Sequence, residues 1–325
     1  MKNRGGQLWW TSCILILLVS ESWGFFAHKK INELAIYLLP PDLFAIYRDD
    51  LSYLVEHSVD PDKRRYIDPE EGVRHYLDGE AWNLDSLPER WDSAVAKYGV
   101  DSVRKHGIVP WHINLMCFRL RSAFASRDLE KVLYLTAELG HYVGDLHVPL
   151  HTTSNYNGQL TEQHGIHALW ETQIPEWHFD RMSEGFKFRG VEYFEDIQKE
   201  IWKVYRKSHS LVAEVLDSEM GLRHDFDSSK MMAYSERGMG LKVAFSERYV
   251  AAYNKKLKGM VAHRLVDSYH FLASLIYTCW VDGGQPTIEL MRSKPIIKSD
   301  SARADSNGNR RFKIGRIFGR EEPSH

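Results

Sequence analysis

The sequence predicts an all-α protein, one compact multi-helix domain. Three observations carry that prediction. Apolar residues recur at helical spacing along most of the 325-residue chain. The interruptions fall at Pro and Gly. Alternating apolar–polar runs joined by hairpin turns, the mark of half-buried strands, are absent from the reading.

Over 28–39, Ile31, Leu34, Ala35 and Leu38 share one helical face, and Pro40-Pro41 ends the run. A second helix is expected from Asp42 to about His57, before Pro61. Pro88 opens a segment that runs to Tyr98 and stops at Gly99. Helices over 110–125 and 128–146 follow, with Pro149 as terminator of the second. After a loop rich in Asn, Thr and Gly, 164–174 forms a short helix. Helices over 194–216 and 230–281 complete the set, the last interrupted near Gly238 to Gly240 and at Gly259. Short connections between so many helices make one packed bundle the economical arrangement.

Composition sets the outer bounds. A hydrophobic content of 43% with 12% aromatics is ample for a buried core, and a formal net charge of -2 gives no global attraction to nucleic acid or membrane. The chain is rich in His (16) and Trp (10). Residues 1–22 read as a signal peptide: Lys2 and Arg4 form the basic start, 8–19 the apolar stretch, and Ser20 and Ser22 the small residues before a cut ahead of Trp23. The apolar stretch is too short to span a bilayer, for which about 18–20 residues are needed, so no stable membrane span is expected after processing. The product is a secreted or periplasmic protein, with a domain over 23–290 and a tail over 291–325. From Arg292 onward nine Lys and Arg stand against four Asp and Glu among Ser, Asn and Gly, which is the composition of a disordered basic tail.

Processing leaves Cys117 and Cys279, both in apolar helical stretches. Buried free thiols are the default reading, with a single bridge between them left open. A disulfide framework and Cys-rich zinc sites are excluded, so any metal must use imidazole, carboxylate or backbone ligands.

The chemistry-bearing residues fall in four clusters. His141 and Asp145 stand one helical turn apart, which puts both on one face, and His151 follows beyond Pro149. His167 and Glu171 repeat the same spacing sixteen residues later. Upstream, His57, Asp60 and Asp62 leave a helix, and His75 and Asp78 come shortly after. At the start of the processed chain, the Trp23 amine would titrate near neutrality and could chelate a metal with its own carbonyl, His28 arriving from the first helical turn.

Taken in order from Trp23 to Glu171, these residues resemble the superfamily of zinc-dependent phospholipases C and single-strand-specific zinc nucleases. The resemblance implies a cleft holding three Zn2+ ions. It places Asp60, His75, His141 and Asp145 on one zinc, with Asp62 in reserve for Asp60. It places Trp23 and His28 on a second zinc that shares Asp145, and His151, His167 and Glu171 on a third. Asp60 and Asp145 are its catalytic carboxylates, and the reaction it implies is phosphodiester cleavage by a hydroxide bridging two zincs. His147 is no ligand in this scheme but a supporting or packing residue. Asp78 is a candidate to hold a ligand or the Trp23 amine. The remaining histidines, among them His57, His106, His112, His209 and His270, read as structural or surface residues.

The substrate signals divide. Glu171 as the last carboxylate and the short 152–166 loop look like the phospholipase branch; the five-residue step from Trp23 to His28 looks like the nuclease branch. The expectation is a phospholipase-C-like hydrolase acting on a phospholipid or another phosphodiester. A single-strand nuclease or 3′-nucleotidase is the alternative, and a non-catalytic helical domain stabilised by zinc is a third.

Overall fold

The computed structural model describes residues 24–237 and 240–293, with side chains outside 235–242. The expected signal peptide, Trp23 and most of the basic tail lie outside the described residues. The architecture is all-α. Its helices are α1 (Phe25–Tyr37), α2 (Pro41–Tyr47), α3 (Leu51–His57), α4 (Asp60–Arg64), α5 (Trp91–Tyr98), α6 (Val100–Lys105), α7 (Val109–Ser126) and α8 (Leu129–His147). They continue with α9 (Ile166–Ala168), α10 (Ile174–Ser183), α11 (Ile197–Ser210), α12 (Val212–Asp225), α13 (Glu247–Lys256), α14 (Met260–Asp282) and α15 (Ile288–Arg292).

The centre of the fold is α8. Asp128 caps its start by accepting from the Lys131 N–H, and every residue from Leu135 to His147 is buried. A helix buried all round needs apolar neighbours on every side, and α1, α3, α7 and α14 supply them. One apolar core runs through these elements from Ala27 to Met291. Yet α8 also carries Glu138, His141, Asp145 and His147 into that interior. Buried polar groups are tolerated only with partners, so α8 itself marks where the chemistry lies.

Several expected boundaries shift. The helix expected over 42–57 is divided by a 3-10 turn, Arg48–Asp50, and the one over 194–216 breaks at Leu211 between α11 and α12. The segment over 164–174 continues well past its expected end, through a π turn at Leu169–Gln173 into α10. The larger correction concerns 230–245. Instead of a helix there is an antiparallel ribbon of β1 (Met232–Arg237) and β2 (Gly240–Phe245), with Met232 opposite Phe245 and Tyr234 opposite Val243. Met, Ala, Glu and Lys gave this stretch a helical look, but two glycines at the connection and Tyr, Val and Phe in the strands favour a hairpin. Phe245 anchors the ribbon, stacked on Tyr249 at 5.1 Å.

Ahead of α11 the chain crosses α14 as an extended strap. The backbone N–H groups of Arg189, Glu192 and Phe194 donate to His270 Nε2 (3.4 Å), Ser274 Oγ (3.0 Å) and Thr278 Oγ1 (3.0 Å). Those three acceptors sit four apart on one face of α14, so a helix replaces the missing sheet neighbour. Cys117 and Cys279 are buried free thiols, with Cys279 Sγ 3.4 Å from the Cys117 carbonyl.

Candidate metal centre

Five short stretches of chain converge on the buried end of α8. The spacing of His141 and Asp145 keeps both on one face, where they are 0% and 2% exposed. The first turn of α1 delivers His28, and the 3-10 turn Gly72–Arg74 delivers His75. The start of α4 delivers Asp62. Pro149 stops α8, and the 3-10 turn Pro149–Thr152 swings His151 back towards the cluster. His167 leaves α9 and Glu171 leaves the π turn that follows, a widened helical turn of the kind that recurs at functional sites.

The donor atoms form a continuous chain. His75 Nδ1 lies 2.9 Å from Asp145 Oδ2 and 3.1 Å from His141 Nε2, and His141 Nε2 lies 3.4 Å from the same Asp145 oxygen. Asp62 Oδ1 closes this group at 3.8 Å from His75 and 3.6 Å from His141. The other Asp145 oxygen, Oδ1, faces His28 Nε2 at 3.5 Å and His151 Nε2 at 3.8 Å. Glu171 makes a similar division: Oε1 faces His28 Nε2 at 3.3 Å, while Oε2 meets His167 Nε2 at 2.6 Å and His151 Nε2 at 3.3 Å. His151 and His167 approach each other nitrogen to nitrogen at 3.2 Å. Among the described residues, three groups could hold metal ions: Asp62 with His75 and His141; His28 with His141 and Asp145; His151 with His167 and Glu171.

The outward nitrogens explain the ring orientations. His141 Nδ1 donates to the Ser58 carbonyl (3.0 Å) and His151 Nδ1 to the His75 carbonyl (2.8 Å), which fixes each Nε2 as an inward lone pair. His75 turns its Nε2 to the buried Glu71 carboxylate at 3.4 Å and its Nδ1 to the cluster. Glu71 is held in turn by Arg64, Arg74 and the Tyr142 hydroxyl. Gly144 makes room for His28: a Cβ there would stand 2.8 Å from His28 Nδ1.

Electrostatics keep the cluster ready for cations. Burial pushes the His75 imidazole down to about 3, and it lowers His141 and His151 as well, so these rings are neutral lone-pair donors. Burial alone would raise the Glu171 carboxyl, but the surrounding imidazoles, His151 foremost, hold it well below the usual carboxylate range. With His141 Nδ1 given to the Ser58 carbonyl and His75 Nε2 turned to Glu71, the two inward nitrogens, 3.1 Å apart, are both left to act as lone pairs. A cation between them satisfies both.

Of the nine ligands expected from the sequence, seven meet here: His28, His75, His141, Asp145, His151, His167 and Glu171. Asp60 does not. Its carboxylate is turned to His57 Nδ1 (2.5 Å) and Lys63 Nζ (2.7 Å), and Asp62, two residues further on, takes its place in the cluster. Trp23 lies outside the described residues. The first described residue, Gly24, borders the cluster, with a Cβ position 3.7 Å from Glu171 Oε1. Asp78 faces His106 at 3.7 Å. His147 donates through Nδ1 to the Val143 carbonyl and its own carbonyl accepts from Arg264 Nε, which ties the end of α8 to α14. Glu71, Ser58 and Gly144 are the contributors that the sequence reading missed; the Glu71–His75 spacing of four was the available signal. No protein-family model matches the chain, and no curated protein matches it either.

Proposed function

We propose that the protein is a three-zinc hydrolase of phosphate esters, acting on phosphodiesters in the manner of a phospholipase C. The observation that carries this reading is Asp145, whose two oxygens face two separate donor groups. A carboxylate so placed could serve two cations at once, as two-metal phosphoryl chemistry requires. Zinc fits the donor set. Tetrahedral ligands at about 2.0–2.2 Å from zinc stand about 3.3–3.6 Å from one another, and the donor separations around Asp145 run from 2.9 to 3.8 Å.

Asp62, His75, His141 and Asp145 would hold one ion; His28 and Asp145, together with the freed Trp23 amine and carbonyl, a second; His151, His167 and Glu171 the third. When bound, zinc supplies Lewis acidity towards phosphoryl oxygens and a water nucleophile at neutral pH. The chain supplies orientation. Glu71, Ser58 and the His75 carbonyl fix three imidazoles before any ion arrives, which lowers the reorganisation needed at the moment of reaction. The loop between His151 and His167 is fastened by Asn155, which donates to Thr161 Oγ1 and accepts from the Leu160 N–H. It leaves Leu160, on the stretch that joins two of the ligands, 70% exposed, an apolar side chain suited to meet a lipid. Residues 1–22 act as an export signal, and no described helix is long and apolar enough to cross a membrane.

One observation favours a second reading. Tyr156 sits edge-on to His167 at 6.1 Å, an aromatic beside the third group where a base of single-stranded nucleic acid could stack. Correctly processed, zinc-loaded protein assayed on phosphatidylcholine, phosphatidylinositol, single-stranded DNA and RNA, and 3′-nucleotides separates the two. Release of a phosphorylated headgroup is expected. Turnover of the nucleic acids alone selects the nuclease reading, and three bound zincs with no turnover at all selects a structural role.

A further inference from the structure

His147 and Arg264 line a cavity of about 220 Å³ that contains none of the candidate metal ligands and lies among α11, α14 and the strap. Its floor is unusual in charge. The Arg264 side chain is 5% exposed, and its nearest carboxylate, the half-exposed Asp267, stands 3.8 Å away. Nε donates to the His147 carbonyl at 2.9 Å and one Nη to Ser208 Oγ at 2.5 Å, which leaves further N–H donors on a group that lines the cavity. Burial lowers this guanidinium to about 10, the sign of a charge that its surroundings compensate poorly. Arg189, Lys203 and Lys207 line the same cavity, so four cations face two carboxylates, Glu192 and Asp267. Lys203 is held by Glu200 at 2.5 Å. His270, 2% exposed, also lines it and has a buried Nδ1 without a partner among the described residues.

We propose that this cavity binds a tetrahedral oxyanion: phosphate, free or as the end group of a phosphomonoester. A planar guanidinium with spare N–H donors matches phosphate oxygens in pairs, while the two lysines add point charges. The volume falls below the roughly 300–1,000 Å³ of pockets that enclose drug-sized ligands, so a small anion or a single end group is the ligand class. Phosphomonoesters are also what a phosphodiesterase releases; that connection, unlike the site itself, rests on the function proposed above.

Calorimetric titration of the zinc-loaded full chain with inorganic phosphate and, separately, with phosphocholine tests the site. Lys207→Glu and Arg189→Glu alter exposed side chains outside the metal centre and should leave the fold and metal content unchanged. Each is expected to weaken binding at this site tenfold or more, and crystals soaked in tungstate should show the ion beside Arg264. Binding of phosphate, of phosphocholine or of both that the two variants weaken supports the site and identifies the source; binding that they leave unchanged belongs to the metal centre. Unchanged affinities in both variants, with no tungstate beside Arg264, would overturn it, whatever the metal centre proves to catalyse.

Discussion

Asp145 meets His75 through one carboxylate oxygen, Oδ2, at 2.9 Å, and leaves the other oxygen turned the opposite way, towards His28. The side chain is 2% exposed and sits one turn after His141 on α8, so neither oxygen can be replaced by water without rebuilding the site. Asp145→Asn keeps the shape but removes the charge and makes one of the two atoms a hydrogen-bond donor. The variant is expected to lose two of the three proposed zincs together. Metal analysis of the purified variant checks this; three ions per chain would refute the shared role.

Asp60 and Asp62 give a paired comparison. Asp62 Oδ1 points at His75 and His141, whereas Asp60 is tied to His57 and Lys63. Burial opposes the Asp60 charge, but those two partners hold its carboxyl below the ordinary value. Asp62→Asn is expected to weaken the first metal site with little change in stability. Asp60→Asn should keep its metals and lose about 1.5–3 kcal/mol of stability, the usual range for hydrogen bonds to a charged group. Chelator competition and urea unfolding on both variants measure the contrast.

That pair also shows how far the sequence could be read. His141 with Asp145 and His167 with Glu171 were legible because helical spacing alone puts each pair on one face. Asp60 and Asp62 were not separable: they flank one proline at the mouth of a five-residue helix, and which carboxylate turns inwards depends on where α4 begins and on His57 and Lys63 claiming the other. The fold class followed from periodicity and punctuation. The ribbon at 232–245 did not, because its strands are built partly from helix-forming residues, while Phe245, which anchors it, stacks on Tyr249 of the helix that follows. The strap was equally hidden, since its backbone partners lie some eighty residues away on α14.

Gly144 is a steric condition for His28. A methyl group at this position would stand 2.8 Å from the His28 ring and 3.3 Å from the Ile31 side chain. Gly144→Ala would improve helix propensity in isolation, but overpacking costs about 1–3 kcal/mol and outweighs it. The expected result is a lower urea midpoint together with loss of the metal at His28, while the His151–His167–Glu171 site keeps its ion. A variant as stable as the parent with full metal content would show that the His28 ring is free to move.

Glu71 supports His75 from behind. It is fully buried, faces His75 Nε2 at 3.4 Å, and is anchored by Arg64, Arg74 and Tyr142. Glu71→Gln preserves volume and removes the charge that makes the imidazole a stronger ligand. Losses of about 10- to 100-fold in metal affinity are typical when such a support is removed. Chelator competition should place that loss at the His75 site and leave the His151–His167–Glu171 site unchanged. An equal loss at both would mean that the variant had merely loosened the fold by neutralising the buried carboxylate that Arg64, Arg74 and Tyr142 share.

His112 provides a pH test away from the metal ligands. It lies in the first turn of α7, packs edge-on against Tyr142 at 4.4 Å, and burial lowers its imidazole to about 3. In the unfolded chain an ordinary histidine titrates near pH 6.5. Between those values the unfolded state holds a proton that the folded state refuses, so stability falls as the pH drops through this window and is unaffected above it. One such proton is worth about 1.4 kcal/mol per pH unit. His112→Gln removes it, so the stability of the variant should fall less steeply with acid than that of the parent. Urea unfolding at fixed zinc between pH 7 and pH 5 measures both slopes, and the gap between the two proteins should change by about 2 kcal/mol over that range. Every other titrating group is common to the pair and cancels in the comparison. Parallel slopes would mean that the His112 ring accepts its proton in the folded protein as readily as in water.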